Sequence, residues 1–174
     1  GQVILGVAAL PDQFVAVGSG GAILRSPVLY EPIVSTNVFT NAAGAAVRVV
    51  LTNLVNTMGL AWYNAAKPVT NALQGIAATA QRMVAAGSAG VLLVSTNATN
   101  WSRVASPTAA FLTSVDAGPG AWVASGDQGT LLSSPDGLAW TRRTSGTTQW
   151  IWRTRWAGNQ FIEPQLGAVD HRPG

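Results

Sequence analysis

The residues best equipped for chemistry lie between Trp140 and Trp156, in WTRRTSGTTQWIWRTRW, which holds four Trp and four Arg. Guanidinium forks match carboxylate and phosphate oxygens two at a time, and indole faces supply broad apolar platforms. In an extended strand from Ile151, side chains alternate. Arg153 and Arg155 then share one side, and Trp150, Trp152 and Trp156 share the other. That pairing suits an anionic or sugar-ring ligand. It equally suits internal packing, because Arg155 follows Asp116 by 39 residues and is placed to form an ion pair with it. Arg153, Arg155, Trp152 and Asp116 are the candidate ligand-binding residues.

Other chemistry has less material. Asp136 sits in SSPDGLAW (Ser133–Trp140). As a catalytic acid it would need a second carboxylate or a base, and the surrounding sequence supplies neither. As a calcium ligand it would need further oxygen donors at alternate positions. The equivalent positions elsewhere carry Asn97 and Met58, so a metal role does not recur. As a turn residue it needs only Gly137 beside it, with Trp140 covering the corner. Sialidase-type glycoside hydrolysis would call for an Arg cluster, a Tyr nucleophile and a carboxylate. Arg153, Arg155, Tyr63 and Asp116 are the only residues to draw on, and both Tyr (Tyr30 and Tyr63) fall in the least regular part of the chain. GSGG (Gly18–Gly21) has the composition of a phosphate cradle, but no helix follows to contribute its N-terminus. His171 is the only His, and there is no Cys. NAT at Asn97 and NWS at Asn100 match the N-glycosylation pattern. The expectation is a non-catalytic protein without metal or cofactor.

The totals agree with that reading. The 174 residues suffice for one domain or a stack of small units. Only 10% are charged, and the net charge of +3 is too mild to argue for nucleic acid. A neutral polar surface over an apolar interior suits a secreted or cell-envelope protein. The apolar run 75–94 is broken by Gln81, Arg82 and several small residues, so no membrane span is expected. No signal-peptide pattern opens the sequence, which leaves an exported protein to have lost it or to carry it outside this chain.

The elements that must position these residues repeat. Trp62, Trp101 and Trp140 stand 39 residues apart. LQGIAATAQRMVAAGSAGVLLVSTN, from Leu73, matches LTSVDAGPGAWVASGDQGTLLSSPD, from Leu112, at the same spacing. Earlier and later copies open at Leu5 and Ile151. Each copy reads as four short strands: an apolar run, a turn, a second run, a Gly-x-x-Gly corner, a third run, the Asp-Gly turn, and a run after the Trp. Four-stranded meanders repeated about every 40 residues are the blades of β-propellers. The reading is one all-β domain, 1–174, with blades at about 3–32, 33–70, 71–109, 110–148 and 149–174, the last incomplete. The first and third copies align at an offset of 69, nine short of two repeats, so 33–70 reads as a degraded blade. Glu163 and Pro164 break the pattern of the last copy. Four to five blades make a small closed ring or an open part of a larger propeller. An open part leaves faces for a second copy of the chain.

FVAVGSGGAILRS (Phe14–Ser26), GTLLSSPDGLAWTRRTSGTT (Gly129–Thr148) and WAGNQF (Trp156–Phe161) carry a resemblance to the bacterial-neuraminidase (Asp-box) repeat, as in propellers of the photosystem II assembly-factor type. The Asp-box reads Ser-x-Asp-x-Gly-x-x-Trp. Ser134, Asp136, Gly137 and Trp140 resemble it with one residue fewer between Asp and Gly. The resemblance implies a bacterial propeller but no single activity. Asp136, Gly137, Trp140, Trp101 and Trp62 are expected to be structural turn and corner residues. The functional expectation is a binding or assembly scaffold for a protein or a glycan, with a lectin-like module as the alternative.

Overall fold

The computed structural model describes residues 1–27, 30–40, 44–56 and 61–162. Among the described residues every regular element is a β-strand apart from two single 3-10 turns. β1 (Ile4–Leu10), β2 (Gln13–Gly18) and β3 (Ile23–Pro27) form an antiparallel meander. The chain then leaves it as a hairpin of two 11-residue strands, β4 (Tyr30–Thr40) and β5 (Ala46–Asn56). It returns as β6 (Tyr63–Asn64), the fourth strand of the same sheet. The second sheet holds β7 (Leu73–Ala78), β8 (Met83–Gly87), β9 (Leu92–Ser95) and β10 (Ser102–Arg103). The third holds β11 (Leu112–Gly118), β12 (Ala121–Gly126), β13 (Leu131–Ser134) and β14 (Thr141–Arg143). β15 (Arg155–Trp156) and β16 (Phe161–Ile162) form a two-stranded fourth. Among the described residues no helix is long and apolar enough to cross a membrane.

The sheets stack face to face, with their first strands side by side. One apolar layer joins Val15, Val17 and Ile23 of the first sheet to Leu73 and Ile76 of the second. The next joins Val84, Ala86 and Leu92 of the second to Leu112, Val115 and Trp122 of the third. Each fully buried Leu or Val stabilises the stack by roughly 1.5–3 kcal/mol. Close packing of the first strands depends on small residues. A Cβ on Gly75 would lie 3.2 Å from the Ser114 Cα.

The first strands share an irregularity. In β1, β7 and β11 the ladder slips by one residue, at Leu5, Gln74 and Thr113. This β-bulge sets two consecutive residues on the same side and breaks strict alternation.

The Gly-x-x-Gly corners are turns between the second and third strands, as their composition suggests. Gly129 has φ +65°, and a Cβ there would lie 1.8 Å from the Thr147 carbonyl oxygen. The amides of Gly126, Asp127, Gly129 and Thr130 all donate to backbone carbonyls, so none of them is left to cradle a phosphate at this corner.

The sheet expected over 33–70 does not form. The offset of 69 is one 39-residue repeat plus a 30-residue insertion, and the hairpin is that insertion. It enters at the corner between the third and fourth strands, where the other sheets carry their Ser-x-Asp or Ser-x-Asn turn. The strand-like VRVVL lies within β5. Pro32 is tolerated in β4 because both strands of a two-stranded ladder are edges. Met58, Glu163, Pro164 and His171 lie outside the described residues.

Candidate functional site

The turn residues come first because one oxygen of Asp136 and the Ser134 hydroxyl are engaged by the turn itself. Ser134 Oγ accepts from the Asp136 and Gly137 amides at 3.3 and 2.8 Å, and donates to Asp136 Oδ1 at 3.0 Å. That same oxygen accepts from the Leu138 and Ala139 amides at 2.9 and 3.1 Å. The Trp140 indole N–H closes the turn on the Gly137 carbonyl at 3.0 Å. Hydrogen bonds from the Leu138 and Ala139 amides hold the Asp136 carboxyl below its ordinary range, aided by Ser134 and the charge of Arg82.

The second sheet builds the same turn from different residues. Ser95 Oγ accepts from the Asn97 and Ala98 amides, and Asn97 Oδ1 from those of Thr99 and Asn100. Trp101 donates to the Ala98 carbonyl at 3.1 Å. Ala98 takes φ +59° where Gly137 takes +76°. An amide oxygen thus does the work of the carboxylate, and neither charge nor metal is needed. The glycosylation pattern at Asn97 falls on this structural amide. Trp101 and Trp140 are buried. Trp62 is not: it is 43% exposed.

The free chemistry collects elsewhere. The first strands line a cleft of about 710 Å³ with Leu5, Gln74, Thr113, Asp116, Trp152, Arg153 and Arg155 on its walls. All four candidate ligand-binding residues are therefore brought together. The expected alternation of Trp and Arg fails, because residues 150–154 are not a strand. Ile151 and Thr154 are buried, while Trp152, Arg153 and Arg155 are exposed. By the 39-residue offset Trp152 is the counterpart of Thr113, and Trp152 and Arg153 both line the cleft.

Segment 150–156 hangs on the third sheet. Thr113 Oγ1 donates to the Ile151 carbonyl at 2.6 Å. The Thr154 amide donates to Ser114 Oγ at 3.3 Å, and the Trp156 amide to Asp116 Oδ2 at 2.8 Å. Asp116 Oδ1 takes the Ala117 amide at 2.9 Å. With both oxygens engaged by backbone, Asp116 forms no ion pair with Arg155 among the described residues. Asp116 is a bracket for the segment, and Arg153 and Arg155 keep their charges free for the cleft.

Trp150 and Trp152 stack with ring centroids 4.7 Å apart and 26° between planes. Phe111 backs Trp150 at 5.8 Å. Trp152 is 57% exposed, so an indole face is presented to solvent on a supported base. Trp156 packs edge-on against Phe161 instead, close over Gly118. Arg142 and Arg143 are also separate. They line a more open hollow of about 730 Å³ along β14, where Arg143 Nε donates to Ser133 Oγ at 2.7 Å. The Trp–Arg cluster of the sequence is therefore divided between the first-strand and fourth-strand margins of the sheets.

The fourfold offset would have located Leu5, Gln74 and Thr113 as partners of Trp152. Their ordinary side chains gave no separate signal. Among the described residues no group of His, Asp and Glu gathers to hold a metal ion. The sequence matches no known family model, and a search of curated proteins finds no similar sequence.

Proposed function

We propose that the chain is a non-catalytic repeat module of the propeller type, bacterial and either secreted or attached to the cell envelope, that binds a partner through the inner cleft. One observation carries this reading. The Asp-box-like turns spend their polar groups on backbone, whereas Trp152, Arg153 and Arg155 stand exposed in one concavity. The stacked four-stranded meanders, with neighbouring first strands, support the propeller reading. The low charge of the surface supports the location.

A second reading, a carbohydrate-binding module, is favoured by the Trp150–Trp152 pair. A supported, exposed indole flanked by guanidinium groups suits a sugar ring with an anionic substituent. A glycan array of neutral and acidic sugars separates the two. Binding there, weakened about tenfold or more by Trp152→Ala, supports the lectin-like reading. A blank array, with a purified protein partner whose affinity falls in the same variant, supports the scaffold. A partner indifferent to Trp152→Ala and Arg153→Ala removes the cleft from the function.

The sialidase reading draws little support. Tyr63 is on β6, the far edge of the first sheet, three strand spacings or roughly 14 Å from β1. Asp116 is committed to two amides. Turnover of a fluorogenic sialoside is expected to stay at the level of buffer.

A further inference from the structure

The hollow along β14 is built by one repeat alone. Every residue on its walls lies between Gln128 and Gln149, in the corner before β13, in β14, or in the linker that follows β14. The second repeat makes the same linker 39 residues earlier, so the two can be compared position by position.

The bonds that shape the linker are the same in both. Ser145 Oγ donates to the Thr147 carbonyl at 3.1 Å, and Ser106 Oγ to the Thr108 carbonyl at 3.2 Å. The Gln149 amide donates to Thr147 Oγ1, and the Ala110 amide to Thr108 Oγ1, both at 3.0 Å. The Gly129 and Gly90 amides donate to the carbonyls of Gln149 and Ala110, both at 2.8 Å. The side chains around those bonds differ. Where the second repeat has Ala89, Val104, Ala105, Ala109 and Ala110, the third has Gln128, Arg143, Thr144, Thr148 and Gln149. The first repeat has Ala65 and Ala66 at the places of Arg143 and Thr144. The shape of the linker does not require the polar groups, since alanine and valine support it in the second repeat.

Those groups are chemically of one kind. Arg142 and Arg143 bring two guanidinium groups, and the walls carry no Asp or Glu. Arg143 is steadied by its Nε bond to Ser133 Oγ, and neither arginine forms an ion pair among the described residues. Asp127, beside the hollow, accepts from the Phe111 amide. Hydroxyls and carboxamides complete the walls, with no aromatic residue among them. The amides of the corner are already engaged, so recognition falls to side chains. Guanidinium forks suit tetrahedral oxyanions, and hydroxyls and carboxamides both donate to and accept from sugar hydroxyls.

We propose that this hollow is a second binding site, for a sugar that carries a sulfate or phosphate ester. Arg142 and Arg143 hold the ester, and Gln128, Thr144, Thr148 and Gln149 meet the ring hydroxyls. The site is independent of what the inner cleft binds.

Amide NMR spectra of the chain, titrated with glucose 6-phosphate, glucose 6-sulfate and glucose, test it. At least one ester is expected to shift Gly129, Gly146 and Thr147, and glucose to leave them in place. The ester bound more tightly identifies the anion. Arg143→Val and Thr144→Ala install the residues of the second repeat, so both should fold, which circular dichroism checks. Arg143→Val should weaken the ester about tenfold or more, and Thr144→Ala by less. Trp152→Ala, in the inner cleft, should leave these shifts unchanged. Shifts that glucose reproduces, shifts confined to Trp152, Arg153 and Arg155, or an affinity that Arg143→Val leaves intact each overturn the proposal. So does the absence of any shift at millimolar ester, which would leave the arginines as guards of an open sheet edge.

Discussion

Ser134 and Ser95 hold their turns through hydroxyls that are nearly inaccessible to water. Removing either leaves two amides without their acceptor, which costs about 1–3 kcal/mol. Ser134→Ala and Ser95→Ala should lower stability by that amount in urea denaturation, with an unchanged slope. Asp136 behaves differently. Its folded carboxyl titrates below the ordinary value, chiefly because the Leu138 and Ala139 amides bind the charged form. The associated stabilisation is present above the unfolded value, near pH 4, and is lost as pH falls through the lower folded value. Asp136→Asn reproduces the Asn97 turn, so it should fold normally at neutral pH and lose that acid-side decline. Asp136→Ala should lower the melting temperature at both ends of the range. Thermal melts at pH 3 and pH 7 distinguish the two. The role of Asp136 was legible in the sequence because its counterparts are Asn97 and Met58, which share no ionisable chemistry. The fate of Asp116 was not. Nothing in its neighbourhood foretold that backbone amides, rather than Arg155, would take its oxygens.

At the scale of elements, the hairpin is an insertion into a complete sheet, not a damaged sheet. β4 and β5 pair only with each other, and β6 pairs with β3 as β10 does with β9. Excising 28–57 should therefore let Pro27 run into a short turn and β6, leaving the other sheets intact. The expected readout is a far-UV spectrum with less strand signal and a melting temperature within a few degrees of the full chain. A chain that fails to fold would mean that the hairpin supports the first sheet. Isolated two-stranded hairpins are marginal in water. At about 36 Å, β4–β5 is long enough to project well beyond the sheet it leaves. Sequence reasoning erred here through arithmetic. It divided the offset of 69 by the repeat, although the spacing from Trp62 to Trp101 already placed Trp62 at the end of the first repeat. The bulges of the first strands were invisible for another reason. A bulge changes hydrogen-bond register without requiring any particular residue, so period-two reading carries straight through it.

For the whole molecule, stability should be graded along the stack. In repeat arrays each unit draws its stability from its neighbours. Among the described residues the second sheet is covered on both faces, whereas the first and fourth each have one neighbouring sheet. Native-state hydrogen exchange should find the slowest amides in β8 and β12, and the fastest in β15, β16 and the hairpin. Trp101→Ala removes a buried ring from the layer between the first and second sheets and should cost about 3–5 kcal/mol. Trp62→Ala, at the equivalent but half-open position, should cost far less. The four-stranded repeat was legible in the sequence because apolar runs and turn residues recur at fixed spacing. Which apolar residues lie in which layer was not, since burial belongs to neighbouring sheets rather than to any residue type.

The bulges carry Leu5, Gln74 and Thr113, and Trp152 stands at the equivalent place in the fourth repeat, four unrelated side chains in all. Only Thr113 has taken on a fixed duty there, tying its sheet to Ile151. The bulge thus works like a row of sockets along the cleft. The ladder fixes where each socket stands but not what is plugged into it. The side chains there can be exchanged one sheet at a time, with the stack underneath left undisturbed.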